Sequence, residues 1–248
     1  MARIELRDAT VRFKDGLSGT CQINEPSTAP VATDTEFDVD TIVLNTADAD
    51  LIPVGARFTL TGETTPVPHT VTARTPTSTS PTTNIVFTPA LGAGTYLDED
   101  VVTFAPQQIE IKVGDGNITY TENRTYEYML DRGDLDTVRE GDQVPLDVRL
   151  ECTYEHITTG TSETVSPVDA LKGIGGAAEW VTSSSDPCEP YAIDIEVEHD
   201  PPCGVIQTEI TLFPDFRADS KEVNFKDATI SLTGKCNVIE PNVEREDA

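Results

Sequence analysis

Between Gln107 and Cys236 apolar and polar side chains alternate at every second position in run after run, and that period commits the chain to strands with one buried face. In "VPLDVRLECTYEH" Val144, Leu146, Val148, Leu150, Cys152, Tyr154 and His156 share one face, and Pro145, Asp147, Arg149, Glu151, Thr153 and Glu155 the other. In "QQIEIKVGDGNITYTE" two alternating runs flank the turn residues "GDGN", which predicts a β-hairpin. A second hairpin is predicted around "HDPPCG", between Tyr191–Val197 and Ile206–Leu212. "RDATVRFKDGLSGTC" (7–21) and "KDATISLTGKC" (226–236) echo one another, so the first and last strands are expected close together in one sheet. The helix signal is "SPVDALKG": Ser166 suits an N-cap, Pro167 the first helical position and Asp169 the positive end of the helix dipole. Gly173, Gly175 and Gly176 should stop it within a few residues.

Residues 22–106 have another texture. They hold 19 Thr and 11 acidic residues against two basic ones, Arg57 and Arg74, a net charge of 2 − 11 = −9. Short strands are legible at 41–44, 56–62, 69–74, 84–90 and 100–104. The parse is a core made of 1–21, carrying the first strand, and 107–248, with 22–106 as an inserted all-β domain. "DRGDLDTVREGDQ" (131–143) reads as a charged loop joining two extended strands and projecting to solvent or a partner.

The formal charge is −27, from 44 Asp and Glu against 17 Lys and Arg. Clamping nucleic acid needs clustered Lys and Arg, so specific phosphate binding is excluded as the main task. No apolar run approaches a membrane span, and the residues after Met1 lack a signal-peptide core, so assembly in a cytoplasm is expected. Five cysteines, an odd number, point to reduced thiols, with a Cys188–Cys203 bridge as the minority alternative.

Catalytic motifs are missing: there is no Gly-x-Ser-x-Gly elbow, P-loop or dinucleotide turn, and no cofactor is called for. Cys152, His156, Cys188, His199 and Cys203 form the one zinc-like set. Residues four apart on a strand stand about 13 Å apart, so Cys152 and His156 do not chelate one ion on an unbroken strand. The acidic runs "TDTEFDVDT" and "NTADADL" lack the ligand order of a calcium loop and read as solvated loops. The sequence therefore reads as non-enzymatic. An acid-pair hydrolase is disfavoured, because 6% aromatic residues give no sugar platform.

The segments "QIEIKVGDGNITYTENRTYEYMLDRGDLDTVREGDQVPLDVRLECTYEH", "SPVDALKG" and "ITLFPDFRADSKEVNFKDATISLTGK" resemble the major tail tube proteins of long-tailed, siphovirus-like bacteriophages. The resemblance spans most of 107–236 plus the opening strand, while the insert is similar to small β-modules of phage structural proteins. It implies a mainly β fold: a tail-tube-type β-sandwich or barrel with one short flanking α-helix, plus an inserted small all-β domain on the tube exterior. It further implies homohexameric rings stacked into a tail tube in the virion, assembled in the host cytoplasm. The implied partners are further copies and the tape measure, tail terminator and tail tip proteins. DNA would pass through during ejection without specific binding, away from any membrane. Six copies would carry 6 × −27 = −162, and charge on the channel wall would repel phosphates. Edges of strands such as 144–156 would be completed by neighbouring copies. The 131–143 segment becomes the candidate ring-stacking element, with Asp131, Arg132, Asp134, Asp136, Arg139, Glu140 and Asp142 as its charged residues. The alternative is another phage structural protein, a decoration or baseplate component, or a non-catalytic β-rich binding module.

Overall fold

The structure, a computed structural model, describes residues 9–25, 29–40, 52–76, 82–113, 117–131, 134–158, 164–184, 186, 188–199 and 207–247. The fold is mainly β. In chain order the strands are β1 (Ala9–Lys14), β2 (Thr20–Ile23), β3 (Glu36–Asp40), β4 (Arg57–Leu60), β5 (His69–Pro76) and β6 (Thr82–Thr88). Next come β7 (Val101–Ala105), β8 (Gln108–Ile111), β9 (Ile118–Thr121), β10 (Tyr126–Asp131), β11 (Asp134–Glu140) and β12 (Leu146–Thr153). The last are β13 (Ile157–Thr158), β14 (Thr164–Val165), β15 (Ile193–His199), β16 (Gln207–Asn224), β17 (Thr229–Cys236) and β18 (Asn242–Asp247), with α1 (Pro167–Ala170) between β14 and β15. The chain divides into two compact units, one made of residues 1–13, 110–155 and 193–248, the other of 14–109 and 156–192.

The first unit is built on a sheet of order β8-β1-β15-β16-β17-β12-β9, with β18 also paired to β16. Its core follows the alternation: Leu146, Val148, Leu150 and Cys152 of β12 are buried, as are Ile230, Leu232 and Cys236 of β17 and Val11 and Phe13 of β1. β1 and β17 share this sheet but are separated by β15 and β16. β15 and β16 pair antiparallel, as the pattern around "HDPPCG" requires. In β16 the buried residues are Phe213 and Phe216, out of the alternation that Ile210 and Leu212, both half-buried, would set. A bulge causes this: the register slips between Ile193 and Ile195 opposite, Asp215 takes φ 53°, and its N–H donates to Asp194 Oδ1 (2.9 Å).

Two strand expectations are overturned. β8 and β9 stand at opposite ends of the strand order instead of pairing as a hairpin. Both ends meet β12: Glu151 N–H donates to the Asn117 carbonyl and Thr153 N–H to the Lys112 carbonyl, each at 2.8 Å. β12, for which partner copies were expected to complete the edges, is covered by its own chain, pairing β17 along its whole length and β9 from Asp147 to Leu150. Its backbone needs no second copy.

In the second unit β2-β3-β6-β5-β4-β7 close into a barrel, which removes sheet edges altogether. β3 lies within the acidic run read as a solvated loop: Phe37 and Val39 are buried while Asp38 and Asp40 alternate with them. Phe37, Phe58, Phe87 and Phe104 fill the interior, with Phe37 and Phe87 centroids 4.9 Å apart and Phe58 and Phe87 5.3 Å apart at 83°. The strand expected at 41–44 lies outside the described residues. Residues 156–192, with α1, belong to this unit. Ser166 and Asp169 make a reciprocal capping box, Pro167 opens the helix, and Gly173 at φ 58° adopts the left-handed conformation that ends such turns. Asp15, 1% exposed, accepts the N–H groups of Gln107 (2.7 Å), Leu17 (3.2 Å) and Val181 (3.2 Å), clasping the entry and exit of the barrel.

Candidate assembly surface

The segment expected as a charged loop is one arm of a hairpin. β10 and β11 pair antiparallel from Tyr126↔Glu140 to Asp131↔Asp134, with a slip between Met129 and Leu130. They form a two-stranded sheet of their own. Residues opposite each other share a face, so Tyr126, Tyr128, Val138 and Leu130 line one side. That side is apolar and wet: Tyr128 is 62% exposed, Leu130 63% and Val138 56%. Glu127 and Arg139 occupy the other face, and Met129 there is also exposed. A lone two-stranded hairpin is marginal in water, and contiguous exposed apolar side chains mark a surface that meets a partner.

The root is fixed more firmly than the blades. Gly141 N–H donates to the Thr125 carbonyl (2.9 Å) and Thr125 Oγ1 donates to the Asp142 carbonyl (2.6 Å). Asn123 Nδ2 donates to Asp147 Oδ2 (3.1 Å), and Arg124 pairs with Glu240 (2.6 Å). Beside the root a cleft of about 450 Å³ opens between residues 143–145 and 237–242.

The charged residues named for this segment are thereby placed. Asp131, Asp134 and Asp136 lie on the hairpin strands, Arg139 and Glu140 are exposed on β11, Asp142 is exposed at the root, and Arg132 lies outside the described residues. The zinc-like set does not assemble. Cys152 is buried in the sheet, Cys188 is exposed in the other unit, and Cys203 lies outside the described residues. Among the described residues no three His, Cys, Asp or Glu side chains converge on a metal position. Cys21, Cys152 and Cys236 are free thiols, and burial pushes each up to about 12.

Sequence reading missed a buried charge cluster. Glu63 and His69 sit inside the second unit with fully buried side chains. The His69 ring has Nε2 3.0 Å from Glu63 Oε1 and Nδ1 2.7 Å from the Pro89 carbonyl, and stacks on Phe58 at 5.2 Å. Both ring nitrogens thus have a hydrogen-bonding partner inside the unit. Glu63 also accepts from the N–H groups of Gly92 (2.9 Å) and Val67 (2.9 Å). Burial alone would raise the Glu63 carboxyl; these donors and His69 outweigh it and hold the group below its ordinary value. Sealed from solvent, the cluster braces a fold and offers no substrate access.

Set against known protein families, curated proteins and solved structures, the chain matches none of them.

Proposed function

We propose that this chain is a structural subunit of a bacteriophage tail tube, one that associates with copies of itself into six-membered rings stacked as a conduit for DNA ejection. The observation that carries the reading is the β10–β11 hairpin, whose apolar face has no cover on its own chain among the described residues. A self-assembling subunit needs such a face. The contact falls on the hairpin and not on the edges of β12, which the chain itself completes. The net charge of −27 suits a wall that must pass DNA without holding it.

Negative-stain microscopy of the purified chain tests this. Rings or tubes of constant diameter are the expected result. Dispersed particles at high concentration, with and without added salt, would turn the assignment toward a decoration or baseplate component.

A further inference from the structure

A hairpin that docks needs a counter-surface, and the first unit carries a second exposed apolar feature at the end of β12 opposite the hairpin's root. Phe225, on the turn joining β16 to β17, is 81% exposed. The turn presenting it is rigid: Asn224 Oδ1 accepts the Lys226 N–H (3.0 Å), and Asn224 Nδ2 donates to Asp227 Oδ2 (2.7 Å). Tyr154 supports the Phe225 ring edge to face at 6.2 Å.

Register fixes where the two features lie. β12 runs from the Leu146↔Cys236 pair to the Thr153↔Thr229 pair. The hairpin roots beside the first pair, through Asn123 to Asp147 and the 141–145 connection. The Phe225 turn lies just past the second, where Tyr154 N–H donates to the Ala228 carbonyl (2.7 Å). Seven steps of a strand separate these levels by roughly 23 Å. Two different patches at opposite ends of β12 describe a heterologous contact, which propagates copy to copy, whereas a single self-complementary patch would close a dimer.

Charge supports the same pairing. Lys226 stands next to Phe225 and makes no ion pair among the described residues, in a chain of net charge −27. On the hairpin, exposed Glu140 lies opposite Tyr126 on the apolar face. An aromatic residue beside a cation on one pole meets aromatic residues beside a carboxylate on the other.

We propose that Phe225 is the anchor over which the β10–β11 hairpin of a second copy closes, with Lys226 facing Glu140. This rests on the self-assembly reading above and names its complementary face. The test uses the full chain. Phe225→Ser should raise the concentration needed for polymerisation about tenfold, the effect of losing one aromatic hot spot. Its melting temperature should stay at the wild-type value, because the ring is already in water. Lys226→Glu should weaken assembly and Lys226→Glu with Glu140→Lys should restore it. In a Cys188→Ser, Cys203→Ser background, a mixture of Tyr128→Cys and Phe225→Cys proteins should oxidise to a covalent dimer of one of each. Wild-type polymerisation by Phe225→Ser, or cross-links only between like variants, would overturn the proposal and leave the assembly reading standing. A wild-type chain that stays monomeric under all conditions would remove both.

Discussion

Glu63 makes the interior of the second unit pH-sensitive. The Glu63 carboxyl lies below its ordinary value of 4.5 in the folded chain, so its contribution to stability is present above that value. That contribution is lost as pH falls through the lowered folded value. Fluorescence of Trp180, the one tryptophan and a member of this unit, should therefore report a flat unfolding midpoint in urea at neutral pH and a falling one under acid. Glu63→Ala leaves His69 Nε2 and the Gly92 and Val67 N–H groups without their partner and should cost about 3 kcal/mol in the same titration; an unchanged midpoint would show the pair to be dispensable. Gly234 is a second demanding position, since a Cβ there would meet the Arg217 carbonyl oxygen at 2.1 Å and the Phe216 ring at 2.7 Å. Gly234→Ala should destabilise the first unit by about 3 kcal/mol, read by circular dichroism on denaturation. Neither site is legible in the sequence. Composition shows that a histidine and a glycine exist, but the ring that stacks on Phe58 and the strand that crosses Gly234 are set by partners distant along the chain.

At the scale of elements, periodicity tells which residues point inward and says nothing about which strand lies alongside. Thus β12 and β17 are readable residue by residue, and Ser166, Pro167 and Asp169 announce a helix whose cap forms as expected. The pairing of β8 with β9 fails because a turn sequence signals reversal without fixing whose edge receives each arm. β3 was hidden because its acids sit on the outer face of a strand whose inner face holds only Phe37 and Val39. The β11 arm was hidden in the same manner, its charges masking a strand that pairs Val138 against Tyr128. Since the Thr125 carbonyl already accepts from Gly141, replacing Tyr126–Glu140 with a short glycine turn should leave a folded subunit. Such a deletion should show native circular dichroism and sediment as a monomer at concentrations where the intact chain polymerises; unchanged polymers would separate the hairpin from assembly.

For the whole molecule, a formal charge of −27 per copy means that association works against like-charge repulsion. With a screening length near 10 Å at 0.1 M salt and about 3 Å at 1 M, sedimentation should show polymer forming at lower protein concentration as sodium chloride rises. A contact dominated by Lys226 and hairpin carboxylates alone would respond in the opposite direction, so the sign of the salt effect weighs apolar cover against ion pairing. The barrel, being closed, supplies no strand edges to this process. Its two ends are stapled, the Asp15 N–H donating to the Gln107 carbonyl at 3.0 Å while Gln107 N–H returns to the Asp15 carboxylate. The described residues between Gly16 and Pro106 thus enter and leave through one doorway, while the Gly16–Val181 and Arg74–Glu179 contacts tie them to 156–192, so a foreign domain spliced into this socket must bring a face for that segment as well as closely spaced termini.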